Sequence, residues 1–139
     1  MAPMVLLRHE TPDGGHHFDW MLSRADTDSP LVTFRATDRI DLEWRDSMTL
    51  ERIADHRRLY LDYEGPVSAN RGIVRIWDTG LYIPLVCEEN YWEVRLEGSR
   101  VRGFVALSRQ ETAEKEWIFT MMAEKSGSLW ERDVPKKCE

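Results

Sequence analysis

Apolar residues along this chain fall into short runs separated by clusters of turn-forming residues. His17–Ser23 is the clearest run. Phe18, Trp20 and Leu22 have one parity, while His17, Asp19 and Met21 have the other. In an extended strand, successive side chains leave opposite faces, so the two sets separate. Comparable β-type runs are Met4–Arg8, Leu31–Ala36, Leu59–Tyr63, Gly72–Asp78, Leu81–Cys87, Tyr91–Leu96, Val101–Ser108 and Trp117–Met122. Pro12-Asp13-Gly14-Gly15 and Glu97-Gly98-Ser99-Arg100 read as turns. Pro84 would push its run to a sheet edge. Ser47–Asp55 carries helical cues, with Ser47 as a cap before Met48-Thr49-Leu50-Glu51. Thr37–Asp46 is polar and reads as loop.

The pattern predicts a mainly β protein. About eight short strands in succession point to a small closed or nearly closed antiparallel barrel with one or two short helices. A two-sheet sandwich is the alternative. The length, 139 residues, fits a single domain. We place that domain at 1–123 and a polar, lysine-rich tail at 124–139. Trp20, Trp77, Trp92 and Trp117 lie on strand-like runs and are expected in the core. Trp44 and Trp130 lie in polar surroundings.

Composition refines this picture. A hydrophobic fraction of 42% supports a core, and 32% charged residues suit a soluble surface. No apolar run is long enough to span a bilayer. The apolar start, Met1–Leu7, has no basic flank or small-residue cleavage site, so it reads as a strand. Cys87 and Cys138 have no neighbours at metal-ligand spacing and read as free thiols in a reducing cytoplasm. The net charge of −6 argues against wholesale coating of nucleic acid, though not against a local basic pocket. All four lysines lie near the C-terminus, and every basic residue before them is arginine, whose rigid fork can grip a phosphate twice.

Of the four histidines, His9, His16 and His17 surround the first predicted turn. Asp19 follows His17 by two residues and shares its strand face, with His9 across the turn. Two imidazoles and a carboxylate suit a divalent transition metal such as Mn²⁺, Zn²⁺ or Fe²⁺ and leave positions open for water and substrate. The same spacing also occurs in plain hydrogen-bonded surface pairs.

A wider pattern bears on that choice. Asp55-His56-Arg57-Arg58-Leu59-Tyr60-Leu61-Asp62-Tyr63-Glu64-Gly65 resembles the Asp-His-…-Tyr-…-Phe-Glu-Gly stretch of the 3′-phosphoesterase domain of bacterial ATP-dependent DNA ligase D. His17-Phe18-Asp19 is similar to that family's His-Tyr-Asp triplet, and Ile73–Gly80 to its Val-Ile-Val-Trp-Asp-Arg-Gly strand. Trp92–Leu107 and Trp117-Ile118 resemble its closing hairpin and Trp-Leu pair. The likeness runs in order from Val5 to Met122. It implies a β-barrel with a Mn²⁺-dependent activity that heals 3′ ends, removing a terminal ribonucleoside and then a 3′-phosphate. His9, His17 and Asp19 would be the metal ligands. His56 would bind the phosphate or protonate the leaving oxygen, and Tyr60 would share its pocket.

The chain also departs from the family. Met21 stands where the family has an arginine, and Phe34-Arg35-Ala36-Thr37-Asp38, which matches the family's Trp-x-x-Pro segment, lacks the lysine that follows there. His9 lies two residues further from His17 than in the family, which makes His16 an alternative ligand; the insertion falls in the Pro12–Gly15 turn, where length is cheap. Arg35, Arg39 and Arg71 are candidate phosphate contacts. The expected function is therefore a cytoplasmic repair phosphoesterase acting on nucleic-acid 3′ ends. The alternatives are a non-catalytic module accompanying a repair ligase or polymerase, and a phosphoesterase for a small substrate.

Overall fold

The computed structural model describes residues 1–24, 28–41 and 47–122. Trp44, Trp130, Cys138 and the 124–139 tail lie outside these. The strands are β1 (Ala2–Glu10), β2 (His16–Leu22), β3 (Leu31–Ala36), β4 (Ser47–His56), β5 (Gly65–Pro66), β6 (Ile73–Cys87), β7 (Tyr91–Gly98), β8 (Arg102–Arg109) and β9 (Glu116–Met122). Their order is β1-β2-β3-β4-β9-β8-β7-β6-β5, every pairing is antiparallel, and β1 also pairs with β6. This closes an eight-stranded barrel, with the two-residue β5 as an addition on its flank. The barrel is two four-stranded meanders, β1–β4 and β6–β9, joined at two seams, β1–β6 and β4–β9.

The expected barrel is therefore present, and among the described residues no α-helix accompanies it. Ser47–Asp55 is strand, because Leu50 must face the interior between β3 and β9 and tertiary pairing overrides the local cap signal. Leu59–Tyr63, expected as strand, instead begins within a 3₁₀ turn, Arg58–Leu61, which is the only helical element among the described residues. The runs read at Gly72–Asp78 and Leu81–Cys87 are strand and continue through Thr79 and Gly80 as the single β6, which begins at Ile73. Pro84 fits within β6 because the β1 pairing extends only to Tyr82, and the register to β7 shifts between Pro84 and Val86. Cys87 carries a disulfide, so the free-thiol expectation is wrong for it. No helix among the described residues is long and apolar enough to cross a membrane.

The barrel interior is filled from alternate positions. Phe18, Trp20, Leu22, Phe34, Val94, Leu107, Trp117 and Phe119 belong to one buried cluster, in which Trp20, Phe34, Trp92, Trp117 and Phe119 meet at ring-centroid distances of 5.6–6.0 Å. Trp77 packs against the same cluster. A second apolar cluster comes from the other parity: Val5 and Leu7 of β1, Met21 of β2, Leu31 of β3 and Val74 of β6. These side chains leave the outer face of the barrel. They are covered by a strap, residues 57–72, which contributes Tyr60, Leu61, Tyr63 and Val67. The Glu64 carboxylate latches the strap by accepting the Ile76 backbone N–H at 2.8 Å. Arg58 fastens its start by donating to Ser23 Oγ and the Ser29 carbonyl.

Candidate metal centre

The outward parity that supplies the second cluster also supplies the polar site. Beyond Val5 and Leu7, the next outward residue of β1 is His9, which pairs directly with His17. Asp19 pairs with Leu7 on one side and with Arg35 of β3 on the other. Three successive strands, β1, β2 and β3, thus bring His9, His17, Asp19 and Arg35 to one patch of barrel wall. The extra residues between the histidines are absorbed in the Thr11–Gly15 turn, where the Asp13 carboxylate accepts from Thr11 Oγ1 and the Gly15 N–H. His16 lies on the opposite parity, exposed, with its ring edge on Phe18. The geometry therefore gathers His9 with His17 and leaves His16 out.

Asp19 Oδ2 lies 3.4 Å from His17 Nε2 and 3.7 Å from His9 Nδ1. The two imidazoles meet edge to face at 4.6 Å. One potential ligand atom from each of the three residues lies within 4.8 Å of the others. Arg35 Nε donates to Asp19 Oδ1 at 3.1 Å, and its terminal nitrogens have no partner among the described residues. Burial pushes the Asp19 carboxyl up, but the close contacts of His17 and Arg35 outweigh it and hold the group below the usual carboxylate range. Asp19 is therefore an anion at neutral pH although it is buried. His17 Nε2 is buried with no hydrogen-bond partner. A buried ring nitrogen left unmatched beside a carboxylate is costly unless something else occupies it. That orphaned nitrogen, together with two imidazoles and one anionic carboxylate, fits a divalent transition ion.

His9 and His17 of the triad line a cavity of about 710 Å³, and Asp19 is not among its lining residues. His9 and His17 form one wall with Arg35. His56, at the end of β4, and Tyr60, in the strap, form the other, with ring centroids 5.7 Å apart. His56 Nδ1 donates to the Ala54 carbonyl at 2.9 Å. The structure also places Arg71 on the cavity, but its guanidinium is spent within its own turn, on the Ser68 carbonyl and Ser68 Oγ. Arg39 is not among the cavity's lining residues. It pairs with Asp41 at 2.7 Å and stacks on Trp77. Sequence reasoning missed Arg57, which lines the cavity, is exposed and has no side-chain partner among the described residues. Its place directly after His56 was the available signal. Asp55, also on the cavity, is offset by Arg24 and Arg52 at 3.5 and 3.4 Å.

Met21 is 1% exposed within the outer apolar cluster. Its position is therefore a packing position in this chain. No family model matches the chain, and no curated protein matches it.

Proposed function

We propose that this chain is a metal-dependent phosphoesterase that trims 3′ ends of nucleic-acid strands, with Mn²⁺ as the preferred ion and Zn²⁺ as a substitute. The carrying observation is the outward triad His9, His17 and Asp19, its buried His17 nitrogen unmatched, opening on a cavity that also holds His56, Tyr60 and arginines. The ordered likeness to the ligase D phosphoesterase domain supplies the substrate. An ion held by the triad would polarise the phosphoryl oxygens and lower the pKa of a bound water.

The chain's own groups supply the rest. Arg35 is oriented by Asp19 and keeps its terminal N–H groups for a phosphoryl oxygen. Arg57 offers a second guanidinium, uncommitted among the described residues. Together they offset charge that grows on phosphorus in the transition state. His56 donates Nδ1–H to the Ala54 carbonyl, so Nε2 would serve the leaving oxygen from the imidazolium form, which gives up that proton and returns to the neutral Nδ1–H ring. Tyr60 packs edge-on against that ring and limits its rotation. These roles suit a repair enzyme that prepares ends for a ligase or polymerase.

One observation favours a second reading, binding of ends or of a repair partner without turnover. Met21 is built into the apolar cluster, and the Arg71 side chain is committed to Ser68, so the phosphate grip is thinner than in the family.

The test is hydrolysis, with Mn²⁺, of a primer ending in a 3′-phosphate or a single ribonucleotide. His17→Ala and His56→Ala should each lower the rate by at least about 100-fold. Full activity in both variants sinks the enzyme reading. Tight end binding by clean protein without turnover selects the second reading, and preference for a nucleotide monophosphate selects a small-substrate phosphoesterase.

A further inference from the structure

The strap touches the metal triad at one main-chain atom. His9 Nε2 lies 2.7 Å from the Arg71 carbonyl oxygen. A carbonyl only accepts, so the imidazole must donate, and the proton sits on Nε2. The other nitrogen, Nδ1, is then the one with a free lone pair, and it is the nitrogen that faces Asp19 at 3.7 Å. From this we propose that the 67–72 turn of the strap is a positioning device for the metal: the Arg71 carbonyl fixes His9 in the tautomer that presents Nδ1 to the ion. Ion binding and closure of the strap are then one coupled equilibrium.

The local backbone is shaped for this contact. Ala69 and Asn70 both adopt left-handed φ, at 60° and 55°, a pair that non-glycine residues adopt only when the surroundings require it. The turn is closed by the Val67 N–H donating to the Gly72 carbonyl at 2.7 Å. Gly72 follows at φ 107°, and a Cβ there would strike the Glu10 carbonyl oxygen. Glycine thus lets the strap press against β1 at the residue after His9. The Arg71 side chain braces the same turn through Ser68. The residue expected to clamp phosphate acts here through its backbone.

A hydrogen bond from the outer nitrogen of a ligating imidazole orients the ring and raises its basicity, and losing one typically costs tenfold or more in ion affinity. The coupling runs both ways. An ion that holds His9 also holds Arg71, and with it the strap that carries Arg57 and Tyr60. The inference rests on the metal half of the proposed function and is independent of the hydrolytic half.

The first measurement is ring-nitrogen NMR on the full, metal-free chain. His9 should show the Nε2–H tautomer, and an Nδ1–H tautomer would overturn the proposal. The second is amide exchange with and without Zn²⁺, chosen because it is diamagnetic. Exchange across 67–72 should slow by at least about tenfold, in line with the affinity linkage. The third is Zn²⁺ titration of two variants. Gly72→Ala displaces the carbonyl and should weaken binding at least about tenfold, whereas Arg71→Ala, which keeps the carbonyl and loses only the brace to Ser68, should weaken it by no more than about threefold. Equal losses in the two variants, or none in Gly72→Ala, would also overturn it. Because Gly72→Ala presses on β1 as well, the tautomer and exchange measurements on the unaltered chain decide the matter if that variant misfolds. A wild-type chain that takes up no Zn²⁺ overturns the metal reading and this inference together. Uptake with unchanged exchange overturns this inference alone.

Discussion

Two aspartates lie buried on the strands that flank β1, and they differ in everything except burial. Asp78 of β6 is 3% exposed and Asp19 of β2 is 2% exposed. Asp78 accepts four backbone N–H groups, from Thr79, Ser99, Arg100 and Val101, at 2.8–3.0 Å. Its oxygens knit the β7–β8 turn onto the barrel, and a Cβ at Gly98 would collide with its carboxylate. Asp19 takes one hydrogen bond from Arg35 and otherwise faces two histidines that do not satisfy it. A buried charge whose partners are all backbone donors is a structural fixture. A buried charge that keeps coordinating capacity toward two histidines lining a cavity is a candidate site. The two residues show that partner type, rather than burial, tells these cases apart.

That contrast can be broken by experiment. Asp78→Ala strands four backbone donors and should cost about 3 kcal/mol or more of stability. Denaturant titration measures it, and the folded fraction should bind an ion as the parent does. Asp19→Asn should do the reverse. Ion affinity, by calorimetry, should fall at least about 100-fold, or about 2.8 kcal/mol, with a smaller loss of stability. If the two variants behave alike, the distinction between fixture and site is wrong.

The smallest effect concerns acid. The folded-state pKa of Asp19 is lowered, so its stabilising contribution is complete above the unfolded value of about 3.9 and is lost as pH falls through the folded value. Denaturation midpoints should therefore drop below about pH 4, and the drop should shrink in Asp19→Asn. It should not vanish. Burial raises Asp41 too, but Arg39 outweighs this and leaves that carboxyl lowered as well, so it adds to the same acid limb.

Much of this site was legible in the sequence because one strand wrote it with period two. The alternation of His17 and Asp19 with Phe18, Trp20 and Leu22 separated the polar face from the barrel interior, and β2 has that arrangement. What the sequence could not convey was which arginines would arrive. Arg35 reaches Asp19 through inter-strand register, which no local pattern encodes. Arg39, only four residues on, is captured by Asp41 and Trp77. Arg71 kept its place on the cavity but exchanged its side-chain role for a backbone one. The misread segments share a cause. Ser47–Asp55 and Leu59–Tyr63 are shaped by what they pack against, between two strands in one case and across the outside of the barrel in the other. Their own propensities mattered less.

The two seams that close the barrel also fix an order of events. During synthesis, β1 waits unpaired on one side until β6 emerges, and β4 waits for β9, the last strand among the described residues. Each meander meanwhile exposes the apolar face that will become the interior. Such long-range closure makes for slow folding and for exposure to aggregation along the way. The triad and Arg35 lie wholly on the first meander, whereas the strap crosses to β6 at the seam. The ligands can therefore meet before the barrel shuts, and the turn at Arg71 is set only when it does. Zinc added during refolding would serve as a clock for that last step.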